Sequence, residues 1–168
     1  MRNQKAQKRL IYVCYGGLIA ALYTVLTVAV GAFGLANGAI QLRLSEALCV
    51  LPFFTPAAIP GLTVGCLISN LLTGCIWQDV VFGTVATLIG AVGAYLLRRT
   101  RAEWAIPLPT VLSNVLIVPP VLAYGYGAEE GIPFLMLTVG VGEVLSAYVL
   151  GMILFASLKR YQSKLFPL

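Results

Sequence analysis

Leu10 to Val30, LIYVCYGGLIAALYTVLTVAV, runs without a single charged residue. At 1.5 Å per residue, a helix of this length reaches about 30 Å, the thickness of a bilayer's hydrocarbon core. Arg2, Lys5, Lys8 and Arg9 precede it, so the opening has the basic head and apolar body of a signal peptide. The apolar part is too long for a typical signal core and reads as a retained helix. The rest of the chain shares its character, with 60% hydrophobic residues, 10% charged residues and a mean hydropathy of +0.93. That composition suits lipid as the solvent and leaves no room for a separate soluble domain, so residues 1–168 read as one integral membrane domain.

Ten of the eleven basic residues fall into three clusters: Arg2, Lys5, Lys8 and Arg9; Arg98, Arg99 and Arg101; Lys159, Arg160 and Lys164. Each cluster flanks an apolar run, as cytoplasmic segments do under the positive-inside rule. The net charge of +5 therefore reports topology and excludes nucleic acid as the natural partner. Clusters that share one side need an even number of crossings between them. Between the second and third, spans at about 104–124 and 134–158 supply two, joined outside by Gly125 to Gly131 with Glu129 and Glu130. Earlier, Pro52, Pro56 and Pro60, then Trp77-Gln78-Asp79, punctuate the chain, and proline does not continue a helix cleanly. Spans at about 44–55, 59–76 and 80–97 therefore follow the first at 10–30. The 44–55 segment is short for a full crossing and reads as tilted, broken or partly re-entrant. The expectation is an all-α membrane protein: a six-transmembrane-helix bundle with N- and C-termini cytoplasmic.

Against this background Arg43, Glu46, Asp79 and Glu143 stand out. An ionisable side chain at mid-helix in lipid costs about 2.5–3.5 kcal/mol on insertion scales, which marks such residues as functional candidates. In the topology above all four converge on the outer side. Arg43 and Glu46 open the second span, Asp79 sits in the turn joining the third and fourth, and Glu143 lies in the outer half of the sixth. Three carboxylates and one arginine sum to −2 when all are ionised, and Arg43 and Glu46, spaced i to i+3, can neutralise each other on a helical face. A pocket with surplus negative charge favours a cation or a ligand rich in N–H donors.

Two amides add recognition capacity, each with donors and an acceptor. Asn70 is expected to contact a ligand, and Asn114 to make an interhelical hydrogen bond. Tyr124, Tyr126 and Trp77 are candidates to stack on a ring, a role that competes with interfacial anchoring. The four cysteines, Cys14, Cys49, Cys66 and Cys75, lack C-x-x-C spacing, and the chain has no histidine. No metal site or resident cofactor is expected, and an enzyme would lack its commonest general base.

Helix 1 carries two overlapping small-residue pairs, Gly16/Ala20 and Gly17/Ala21. Small residues four apart form a flat stripe that admits a neighbouring helix closely, either inside the bundle or on a partner.

The order and spacing of these residues resemble a known family. Gln41-Leu-Arg43-Leu-Ser45-Glu46-Ala-Leu is followed by Leu51-Pro52, Ala58-Ile-Pro60-Gly61, Gly65 and Asn70. Asp79-Val-Val-Phe-Gly83 with Thr87, Ser113-Asn114 and Gly142-Glu143 come after. Across nearly its whole length the chain is similar to the QueT family, the membrane substrate-binding (S) components of energy-coupling factor (ECF) transporters for queuosine precursors. The resemblance implies a six-helix bundle in a bacterial-type plasma membrane that captures a micronutrient at its outer face. It also implies docking on a transmembrane coupling protein with two cytoplasmic ATPases. In many such proteins an A-x-x-x-A stripe on helix 1 meets the coupling protein, and Gly17 to Ala21 is the nearest equivalent here. The chain has no G-x-x-x-x-G-K-[ST] loop, so ATP would be hydrolysed by those partners.

The implied substrate is a 7-deazaguanine such as prequeuosine 1, whose aminomethyl group is cationic at neutral pH, or queuine. Its guanine-like edge presents adjacent N–H groups that a carboxylate can accept in bidentate fashion. Glu46 and Glu143 are the expected principal ligand carboxylates, with Asp79 third, Asn70 at the ring carbonyl and Arg43 orienting Glu46. The alternatives are an S component for another cationic micronutrient such as thiamine, an intramembrane acid–base enzyme using Glu46 and Asp79, or a purely structural subunit.

Overall fold

The computed structural model describes residues 2–32 and 43–165, and among them every regular element is helical. Helix α1 spans Arg2–Ala32. Helix α2, Leu44–Phe54, opens as a tight 3₁₀ segment over Leu44–Val50 and closes as one α turn at Leu51–Phe54. Helix α3 is Ala58–Leu72 and α4 is Trp77–Leu97. A short 3₁₀ turn at Glu103–Ala105 leads into α5, Leu108–Gly125. Helix α6, Ile132–Arg160, is continuous, but its turns widen to π type over Val144–Leu150. A last turn, α7, covers Gln162–Leu165.

The chain is built to lie in lipid. Four segments are long and apolar enough to cross a membrane: Gln4–Ala32, Trp77–Leu97, Glu103–Gly125 and Ile132–Arg160. Two apolar helices, Leu44–Phe54 and Ala58–Leu72, are shorter. The fifteen residues of α3 extend about 22 Å at 1.5 Å each, short of a core of about 30 Å. Leu71, Leu116 and Leu137 are all more than 60% exposed, a surface that water would not tolerate in such density and that acyl chains solvate. The described residues are thus all-helical, with several helices suited to cross a membrane.

Local chemistry sets the helix ends. Thr73 Oγ1 bonds back to Ser69 O at 2.8 Å, and Gly74 follows with φ of 71°, a left-handed value that glycine adopts without penalty. Helix α3 therefore stops at Leu72, before the expected 76. Helix α4 begins at Trp77, earlier than the expected 80. Asp79, expected in the joining turn, consequently stands in the first turn of α4. Pro119 and Pro120 lie inside α5, where each removes one i to i−4 hydrogen bond.

Close helix contacts rest on glycine. A Cβ at Gly61 would stand 2.8 Å from Gly16 O, and one at Gly65 would stand 2.9 Å from Ala20 O. The Gly16/Ala20 pair of α1 therefore meets α3 inside the bundle. The core between these helices and α2 gathers Ile19, Tyr23, Leu48, Leu62 and Cys66. A second core joins α2 to α4 and α6, with Phe53, Phe54 and Phe155 at ring separations of 5.0 to 5.2 Å. Near the basic clusters, Lys159 Nζ pairs with Glu103 at 2.7 Å, tying the 3₁₀ turn before α5 to the end of α6.

Candidate functional site

The opening of α2 decides how its charges are presented. With three residues per turn, positions i and i+3 of a 3₁₀ helix eclipse one another, which aligns Glu46 with Cys49. Glu46 N donates to Arg43 O at 2.9 Å, and the Glu46 side chain is only 2% exposed. Its Oε1 accepts the Tyr23 hydroxyl from α1 at 2.5 Å, in the short range of charge-assisted O–H···O bonds. Thr27 Oγ1, one turn along α1, meets Ser45 Oγ at 2.8 Å. Together these bonds fix the start of α2 against α1.

Arg43 departs from expectation. Among the described residues no ion pair joins it to Glu46. Its Nη2 donates instead to Asn70 Oδ1 on α3 at 3.0 Å, and its backbone N to Ser146 Oγ on α6 at 3.2 Å. The reason is local: Arg43 caps α2 with φ −116° and ψ 88°, so its side chain leaves the helical ladder on which the i, i+3 pairing depends. Glu46 is held by Tyr23, and Arg43 remains its electrostatic neighbour.

Asn70 is fully buried and has both ends engaged. Besides accepting from Arg43, it approaches Asp79 O at 3.5 Å and Cys66 Sγ at 3.6 Å through Nδ2. Gly83 makes room for this: a Cβ there would lie 3.1 Å from Asn70 Nδ2 and 3.4 Å from Asp79 Oδ1. Asp79 Oδ2 accepts the Tyr126 hydroxyl at 3.1 Å, and that hydroxyl accepts Ile76 N–H at 3.3 Å. Burial, then the Asp79 carboxylate, push the Tyr126 phenol above its ordinary value, so it stays a donor at neutral pH. A cleft of ≈ 800 Å³ opens here, bordered by Arg43, Asp79, Tyr126, Cys75, Val118 and Leu122 among others. It lies at the end of α4 opposite Arg98.

Glu143 closes the α-helical part of α6 immediately before its turns widen, a distortion frequent at functional sites. It is 5% exposed and lies within electrostatic reach of Glu46 and Arg43, with the Asn114 side chain facing it. Among the described residues neither Glu143 Oε2 nor Asn114 Nδ2 has a hydrogen-bond partner. Arg43, Asn70 and Asp79 thus form one hydrogen-bonded chain beside the cleft, while Glu46, Glu143 and Asn114 lie deeper in the same electrostatic neighbourhood. Such an array can receive an N–H-rich or cationic group and can offer one guanidinium and two amides to its acceptors.

Of the aromatic candidates, Tyr126 joins the site, while Trp77 and Tyr124 are 68% and 82% exposed. On α1, Gly17 has nothing within 4 Å of a Cβ built there, and Ala21 is exposed. Among the described residues no His, Cys, Asp or Glu cluster suits a metal ion. Tyr23 was missed from sequence. Its signal was a phenol in mid-span, a group that needs a partner when buried.

A family model described as QueT transporter matches residues 13–160. The queuosine precursor transporter QueT of Lactococcus lactis subsp. cremoris (strain MG1363) is 38% identical over 88 residues, covering 52% of this chain and 52% of that protein. The match therefore spans about half the length of that relative. No solved structure matches.

Proposed function

The chain belongs to the QueT transporter family, and from that premise we propose that it is the substrate-binding subunit of an ECF-type importer for a queuosine precursor. The ligand is a 7-deazaguanine with a cationic 7-aminomethyl group, held among Glu46, Glu143 and Asp79, with Asn70 and Arg43 completing the site. The observation that carries this reading is the convergence of all three acids and one arginine from three helices, α2, α4 and α6, in a chain otherwise dissolved in lipid. Structural packing alone would not select that arrangement, because each buried charge is costly there.

The same reading gives six crossings with both termini cytoplasmic and the cleft open to the exterior. Basic residues at the ends of α1, α4 and α6 support this orientation. The shorter α2 and α3 would pass the membrane within the shelter of the other helices. A transmembrane coupling protein with two ATPases would take the exposed Gly17/Ala21 face of α1, since Gly16 and Ala20 already contact α3. ATP is then used by those partners.

Equilibrium binding of 7-aminomethyl-7-deazaguanine to the purified protein tests the proposal. Glu143→Gln is expected to weaken binding by about 2–5 kcal/mol, the usual effect of removing one partner of a desolvated charged hydrogen bond. Equal affinity in both proteins removes Glu143 from the site, and absence of binding by the wild type removes the function.

A further inference from the structure

The two asparagines near the acids are in opposite states. Asn70 has its carbonyl on Arg43 and its amide nitrogen near Asp79 O and Cys66 Sγ. Asn114 is 1% exposed, and its Nδ2 has no partner among the described residues. The same holds for Glu143 Oε2 in a side chain 5% exposed. A buried polar atom left unpaired is destabilising, the more so in a charged group. Two such atoms side by side therefore point to something that pairs with both.

The backbone sets the two at one level. Asn114 lies eleven residues before the Gly125 end of α5, and Glu143 eleven residues after the Ile132 start of α6. Both are therefore about 16 Å in from the same end of two adjacent antiparallel helices. Val118, one turn above Asn114, borders the cleft, and so does Arg43, whose charge reaches Glu143. The pair thus lies beside two residues that line the cleft.

Resting on the function proposed above, we infer that Asn114 and Glu143, not Asn70, read the lactam edge of the heterocycle. Asn114 Nδ2 donates to the exocyclic ring carbonyl, and Glu143 Oε2 accepts from the adjacent ring N–H. A donor beside an acceptor is the complement of an acceptor beside a donor, which is what a lactam presents. Asn70 is a positioning residue that holds Arg43.

The test compares 7-aminomethyl-7-deazaguanine with its 6-amino analogue, in which NH₂ replaces the carbonyl oxygen and the ring N–H becomes a bare acceptor nitrogen. The edge is thereby reversed while ring and cationic arm stay unchanged. Wild type is expected to prefer the lactam by at least about a hundredfold, because a site built for hydrogen bonds leaves its own groups unpaired on the wrong ligand. Asn114→Ala is expected to lose about ten- to hundredfold for the lactam and little for the analogue. Asn114→Asp, close to isosteric, keeps the result readable if the alanine variant does not fold, and it shifts preference towards the analogue. Equal wild-type affinity for the two ligands, or an equal loss for both in Asn114→Ala, overturns the inference and leaves the transport subunit standing. That outcome would mean the pair bonds to itself or to an internal water. Failure of wild type to bind either ligand overturns the function, and the inference with it.

Discussion

Tyr23→Phe removes a single oxygen from the centre of the bundle. Tyr23 is 1% exposed and Glu46 is 2% exposed, with 2.5 Å between the hydroxyl and Oε1. The ring stays among Ile19, Leu62 and Cys66, so the change leaves no cavity larger than the lost hydroxyl. What disappears is a hydrogen bond to a carboxylate, worth about 1.5–3 kcal/mol. For chains of this size 1 kcal/mol moves Tm by roughly 2–4 °C. The 168-residue variant is therefore expected to melt about 3–12 °C lower. Thermal unfolding in one detergent, followed by circular dichroism, measures the shift. A double-mutant cycle with Glu46→Gln isolates the cause. Once the phenol is gone, the carboxylate is stranded, so neutralising it costs less than in wild type, with a coupling of about 1 kcal/mol or more. A shift in Tyr23→Phe below about 2 °C, or strictly additive single changes, would refute the view that this bond secures a buried charge.

The two faces of α1 are expected to separate in one experiment. Gly65→Leu drives a side chain into Ala20 O and Tyr23 Cβ at under 3 Å and should destabilise by about 1–3 kcal/mol through overpacking. Gly17→Leu meets nothing within 4 Å, so the purified protein should keep its Tm and ligand affinity while cells lose uptake. Normal uptake would show that this face contacts no coupling protein. For Tyr126, whose ordinary pKa of 10.0 is raised by burial and by Asp79, the sign follows from linkage. The folded state holds the phenolic proton more tightly, so this contribution to stability is complete below pH 10.0 and is lost as pH rises through the folded value. In alkaline difference spectra, Tyr126→Phe should delete a late-titrating phenol. Loss of an early one instead would contradict the Asp79 contact.

The membrane character of the chain was readable because lipid imposes a coarse rule on composition: long charge-free runs with basic flanks, as at Leu10 to Val30, have few other uses. Helix ends were less readable. Gly74 and the Thr73 back-bond stop α3 early, yet a lone T-G pair carries little weight in an apolar stretch. The 3₁₀ opening of α2 and the wide turns after Glu143 left no periodic signature either, since a few residues of altered pitch do not change the pattern of apolar positions.

The site was visible as charge and hidden as pairing. Lipid makes any ionisable residue conspicuous, so Arg43, Glu46, Asp79 and Glu143 could be selected one by one. Which group bonds to which depends on helix phase and on the backbone at a single cap. The i, i+3 spacing of Arg43 and Glu46 suggested mutual neutralisation, but with a non-helical cap at Arg43 its guanidinium goes to Asn70. That difference bears on function. An arginine paired directly with Glu46 would cancel one of the acids that the proposed cationic ligand needs. Hydrogen-bonded to a neutral amide, it lends positive potential to the neighbourhood without closing on any carboxylate, and Glu46 is fixed by a neutral phenol. Neutral partners thus immobilise the charged groups without pairing them with one another, which leaves them free for the ligand proposed above.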